Sequence, residues 1–197
     1  MGTRILALWL AAALAACGQA VLEPPLGMKW GDRPERILDW AGRHDLDVKI
    51  EMPAKKPHLR VIRLSPAAGL IPDAAARQVE ARYEDGRLIE MTLHYGGEGT
   101  EAEAVENAFE MEKRRLSREH GKMTANQEEK SVSNHFSTVT HSYHREPVRG
   151  LFLLIAFTRI EDLLRKQSEA EYSVMYRNDN LRIRIENERQ PAPASGR

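Results

Sequence analysis

Gln78-Val-Glu-Ala-Arg-Tyr-Glu-Asp-Gly-Arg-Leu-Ile-Glu-Met-Thr-Leu-His-Tyr95 is the stretch on which the fold turns. Val79, Ala81 and Tyr83 alternate with polar residues up to Asp85-Gly86, and Ile89, Met91, Leu93 and Tyr95 alternate on the way out. A period of two marks strands with one face buried. Asp-Gly between two such runs favours a type I′ turn, because both central residues take positive φ and the turn matches the twist of the strands. An antiparallel hairpin is expected here, with one face on a core.

Upstream, Val48, Ile50 and Met52 alternate with Lys49 and Glu51, and Leu59 to Leu64 is a second candidate strand; Pro66 to Ala76 reads as a loop. A helix is announced by Asp32-Arg33-Pro34-Glu35, with Asp32 as N-cap, proline in the first turn and Ile37, Leu38, Ala41 and His44 on one face. Downstream, Gly96-Gly97-Glu98-Gly99 breaks the strand. Thr100-Glu101-Ala102-Glu103 then offers a capping box for a helix reaching about His120. Its stripe is Ala102, Val105, Ala108, Phe109 and Leu116, with Glu112 as the one discordant member. Lys122 to Lys130 is polar and reads as loop. His135 to His144, Leu151 to Phe157, Glu171 to Arg177 and Leu181 to Glu186 read as strands, the second so continuously apolar that it suits a strand buried on both faces or, by pattern alone, a buried helix. The fold class is therefore α+β: two helices packed on antiparallel sheet. The order, helix and strands twice over, is open to reading as a diverged tandem repeat with halves 27–99 and 100–189.

The first residues carry a different message. Met1 to Arg4 is basic, Ile5 to Leu14 is apolar, and Ala15 and Ala16 are small. This is the order of a secretory signal, with an apolar run about half of the ~20 residues a spanning helix needs. Leu14-Ala15-Ala16-Cys17 resembles the lipobox of bacterial lipoproteins. The resemblance implies cleavage before Cys17, a diacylglyceryl thioether on its sulfur, and a membrane partner held through acyl chains. Gly18 stands where an aspartate would imply inner-membrane retention, so it implies the outer membrane, facing the periplasm. Residues 1–16 are then signal peptide, 17–26 a lipidated tether stiffened by Pro24-Pro25, 27–189 the domain, and 190–197 a disordered tail. The body is similar in element order to small envelope lipoproteins of the outer-membrane assembly machinery and to the β-lactamase inhibitor protein. Gly27-Met-Lys-Trp-Gly-Asp32 and the Asp85-Gly86 hairpin carry that likeness.

Charge and chemistry narrow the function. The 197 residues hold 29 basic and 29 acidic side chains, and loss of the signal with Arg4 leaves 28 against 29. A chain that neutralises many phosphates needs a basic surplus, so nucleic acid is not expected as a partner. Cys17 is the one cysteine, and lipidation would consume it. No nucleophile elbow, phosphate loop, dinucleotide fingerprint or zinc-protease motif is present. His135, His141 and His144 cluster in sequence. On a strand His141 and His144 face opposite ways, and six residues separate His135 from His141 by ~20 Å, so no shared metal ion is expected. Trp30, Trp40, Tyr83 and Tyr95 are expected in the core rather than on a binding surface. No catalytic residue, cofactor or metal is assigned. The expected product is a monomeric, noncatalytic envelope module that binds another envelope protein; an envelope hydrolase with an unrecognised polar site is the alternative.

Overall fold

The computed structural model describes residues 22–190. The chain runs α1 (Pro34–Arg43), β1 (Leu46–Glu51), β2 (Leu59–Pro66), β3 (Gln78–Glu84), β4 (Arg87–Gly96), α2 (Ala102–His120), β5 (Thr124–Val132), β6 (Phe136–Val148), β7 (Leu151–Asp162), β8 (Gln167–Asn178) and α3 (Asp179–Arg189). Eight strands form one antiparallel sheet in the order β1-β2-β3-β4-β8-β7-β6-β5. The α+β class is thus as expected, with three helices rather than two.

The expected hairpin is β3–β4. Asp85 and Gly86 take φ of 46° and 72°, the double positive of a type I′ turn. Its register explains the core. Val48, Leu64, Val79, Leu93, Val174, Ile155 and Tyr143 are successive cross-strand partners. Opposed residues share a face, so this row lies on one side of the sheet. α1 adds Ile37, Trp40 and Ala41 to that side, and α2 adds Val105, Phe109 and Leu116, in one cluster of buried side chains. The alternation expected of β4 is interrupted. The register slips at Arg82/Tyr83, Leu88 joins the main core, and Ile89 packs instead with Leu181 and Ile185. A bulge reverses the side-chain sense of what precedes it.

Several expectations need correction. Leu181 to Glu186 is not a strand but the middle of α3. Leu-Arg-Ile-Arg-Ile-Glu alternates by two, yet the Asn178 side chain accepts from the Leu181 N–H at 2.9 Å and starts a helix. Only Leu181 and Ile185 are then buried, and Ile183 stays exposed. Thr124 to Val132, which overlaps the loop expected over Lys122 to Lys130, is strand β5. Every residue of it is exposed, so no inward face leaves an apolar alternation to read. Neither capping box forms. α1 is capped at Arg33, while Asp32 accepts from the Lys29 N–H at 2.7 Å and pairs with Arg36 at 3.2 Å. α2 is capped at Glu101 with no side-chain bond. In β7, Leu151, Leu153, Ile155 and Phe157 are buried, but Phe152, Leu154 and Ala156 are only half-buried. The face they share carries no α1 or α2. Across β1 to β4 that same face holds an ion-pair ladder: Glu51–Arg63 at 2.6 Å, Arg63–Glu80 at 2.9 Å, Glu80–Arg82 at 3.0 Å and Arg82–Glu90 at 3.2 Å.

Candidate functional site

Between α2, the β4–β8 junction and the loop after β2 lies a cleft of about 740 Å³. Its floor is built by register. Tyr95 of β4 and Tyr172 of β8 are direct partners, and their rings stack at 4.5 Å with 7° between planes. Tyr176 extends the floor along β8. Phe109 meets the edge of Tyr172 at 6.1 Å and fixes the ring from beneath α2. The helix wall is small side chains, Ala104 and Ala108, beside Val105. Small residues there leave room that leucines would fill.

Glu112, the discordant member of the α2 stripe, ends this wall. Its carboxylate takes both Nε and a terminal nitrogen of Arg115, at 2.8 and 2.6 Å, and Arg115 also reaches Glu119 at 2.6 Å. Those bonds raise the Arg115 pKa further above its usual value, so the charge is fixed. Opposite stand Pro25, Leu26, Leu70 and the turn Asp73 to Ala75. Asp73 and Ala75 hold left-handed backbone, φ 62° and 50°, at a cost of ~1–2 kcal/mol for a residue with a Cβ. Arg77 braces this side by donating to the carbonyls of Gly96 at 3.0 Å and Glu98 at 2.8 Å.

Burial raises the pKa of all three floor hydroxyls, that of Tyr172 to about 12. They are neutral phenols at physiological pH, able to donate or accept. The cleft therefore offers aromatic faces, apolar walls, phenol hydroxyls and one zwitterionic end. Its carboxylate is engaged by its own arginine. The arrangement suits recognition of a flat or extended apolar group with a polar end.

A second cleft, of about 630 Å³, lies on the other side of the sheet against α3. It gathers Lys56, His58, Arg82, Glu84, Glu90, Arg177, Arg182 and Arg189. Glu84 is buried, with Arg189 at 2.8 Å and His58 Nε2 at 3.8 Å from the same oxygen.

Leu14, Ala15, Ala16 and Cys17, the residues of the expected lipidation site, lie outside the described residues, as does all of the 190–197 tail beyond Gln190. Leu22 and Pro24, in the stretch assigned to the tether, are buried, and the Leu22 carbonyl accepts from Trp30 Nε1 at 2.7 Å. His141 lies along Phe157 on the helix side, His144 pairs with Leu154 on the other, and His135 sits in the β5–β6 turn. Trp40 and Tyr83 are core residues, Trp30 bridges the two clusters, and Tyr95 lines the cleft. Among the described residues no helix is long and apolar enough to cross a membrane. The chain matches no known family model, no curated protein and no solved structure.

Proposed function

We propose that this chain is a lipid-anchored lipoprotein of the bacterial envelope whose domain is a noncatalytic binding module, with the tyrosine-floored cleft as its binding site. That cleft is the observation that carries the reading. Its apolar and aromatic lining, and a carboxylate already held by its own arginine, favour binding over turnover. The lipobox Leu14-Ala15-Ala16-Cys17 supports anchoring through acyl chains on Cys17, and Gly18 supports the outer membrane, facing the periplasm. Two or three chains anchor stably, since each buried methylene contributes ~0.8 kcal/mol. The fold also supports a diverged duplication. α1 with β1–β4 and α2 with β5–β8 have the same order, and their meanders meet antiparallel at β4 and β8, leaving α3 as an addition.

An environment-sensitive apolar dye tests the cleft. It should light up with the wild-type chain and fail to do so with Ala108→Trp, which fills the helix wall; equal signals from both would place the dye elsewhere and remove the cleft from the reading. One observation favours a hydrolase instead, the His58–Glu84 approach in the charged cleft. Arg189 competes for that carboxylate, and the residues lining the cleft include no serine, threonine or cysteine. A hydrolytic activity of the chain lost in His58→Ala would install that alternative.

A further inference from the structure

The sheet ends in two edges built on different principles. β5 is exposed along all nine residues, carries Glu128, Glu129 and Lys130, and is bulged between Ala125 and Gln127. A bulge twists an edge strand away from pairing with another chain. β1 is also charged, at Asp47, Lys49 and Glu51, but it has neither proline nor bulge, and its ladder to β2 is unbroken from Leu46 to Glu51. Val48 and Ile50 point to the helix side of the sheet, where their partners Leu64 and Ile62 are fully buried, yet they remain 42% and 49% exposed. The outer backbone groups of such a strand are a ready template for another.

We propose that this edge pairs with the same edge of a second copy, antiparallel about a twofold axis at Val48, so that the two sheets continue into one another. The self-complementarity of the sequence selects the partner. In that register Val48 faces Val48, Leu46 faces Ile50, and Asp47 faces Lys49, the last two pairings occurring twice. Apolar side chains meet on the helix side, and on the other the opposite charges of Asp47 and Lys49 meet, with Glu51 falling across from Asp45 just outside the strand. Such pairs stabilise a sheet, whereas like charges directly opposite destabilise it. Centring on Asp47 or Lys49 sets identical charges against each other. Centring on Ile50 pairs Lys49 with Glu51, but needs Met52 and Pro53 beyond the strand, and proline lacks the ladder donor. Glu51 is moreover held within its own chain by Arg63 at 2.6 Å and by Lys49 at 3.0 Å, so in the Val48 register Lys49 stands between its own Glu51 and Asp47 of the second copy. The resulting contact is isologous and closed. It differs from the monomer that the sequence alone leads one to expect.

The test places a photo-crosslinking benzoylphenylalanine at Val48 in the full-length chain in cells. The expected product is a two-chain adduct, absent when the probe is at Gln127 of β5. Asp47→Lys alone makes the facing positions 47 and 49 both basic, and Lys49→Asp alone makes them both acidic. Each should lower the adduct roughly five-fold, as like charges meet across the strands. Co-expressed, the two variants should restore it as a mixed pair, which also shows that both fold. No two-chain adduct at Val48, an equal adduct at Gln127, an adduct with a different protein, or variants that pair as well alone as together would each overturn the proposal.

Discussion

Glu90 keeps 8% of its surface exposed beneath α3, and burial raises its pKa even with Arg82 and Arg177 nearby. A folded-state pKa above the unfolded value means that its contribution favours the fold at acid pH and is lost as pH rises through the folded pKa. Glu90→Gln should therefore raise the melting temperature at pH 7, by about 2–4 °C for each ~1 kcal/mol gained in a domain of this size. Arg82 keeps Glu80 at 3.0 Å, so no cation is stranded. Calorimetry at pH 7 and pH 4 checks this, the gain vanishing at the lower pH; a loss at pH 7 would mean that the Arg82 pairing outweighs desolvation. Asn178→Ala should cost ~1 kcal/mol as the loss of an N-cap, while Thr100→Ala should leave denaturant stability within ~0.5 kcal/mol. Thr100 and Asn178 show what single residues disclose. A cap is read from side-chain type, but chain direction decides which orphan N–H it can reach. Glu112 was legible as a residue out of place in an apolar stripe; Tyr172 and Tyr176 were not, because floor tyrosines obey the same alternation as core ones.

Elements were legible where two signals agreed. The β3–β4 hairpin has both alternation and its turn residues, and α2 has both its stripe and Gly121 at the end. β5 and α3 failed for opposite reasons: β5 has no buried face to imprint a pattern, and α3 imprints a misleading one. The α2–sheet seam that walls the cleft depends on Gly96. Its φ is +78°, and a Cβ there would stand 2.7 Å from the Ala170 carbonyl oxygen and 2.8 Å from Val105 Cγ1. Gly96→Ala should destabilise by on the order of 2 kcal/mol, from forced left-handed backbone and displaced α2 together. Urea unfolding measures it; an unchanged midpoint would show that the seam yields freely. Gly99→Ala is the control, with the same sign of φ and open space around it.

At the scale of the whole molecule, one sheet presents two unlike faces. The helix side buries the shared core and opens at the cleft, where α2 is lined with alanine, and at the β1 edge. The far side carries the ion-pair ladder and α3. The cleft arises where residues 25–26, 70–77, 95, 108–115 and 172–176 converge, which no local pattern encodes. An anchored binding module makes two demands at once: acyl chains on Cys17 and a partner in the cleft. Cys17→Ser should leave uncleaved precursor without labelled palmitate, and palmitate at the wild-type level would end the lipoprotein assignment. The most direct measurement is photo-crosslinking from Ala108 in the full-length chain in living cells. A discrete adduct with an envelope protein, formed from Ala108 and not from Gln127, is the predicted result; adducts of equal yield from both positions, or none from Ala108, would contradict it.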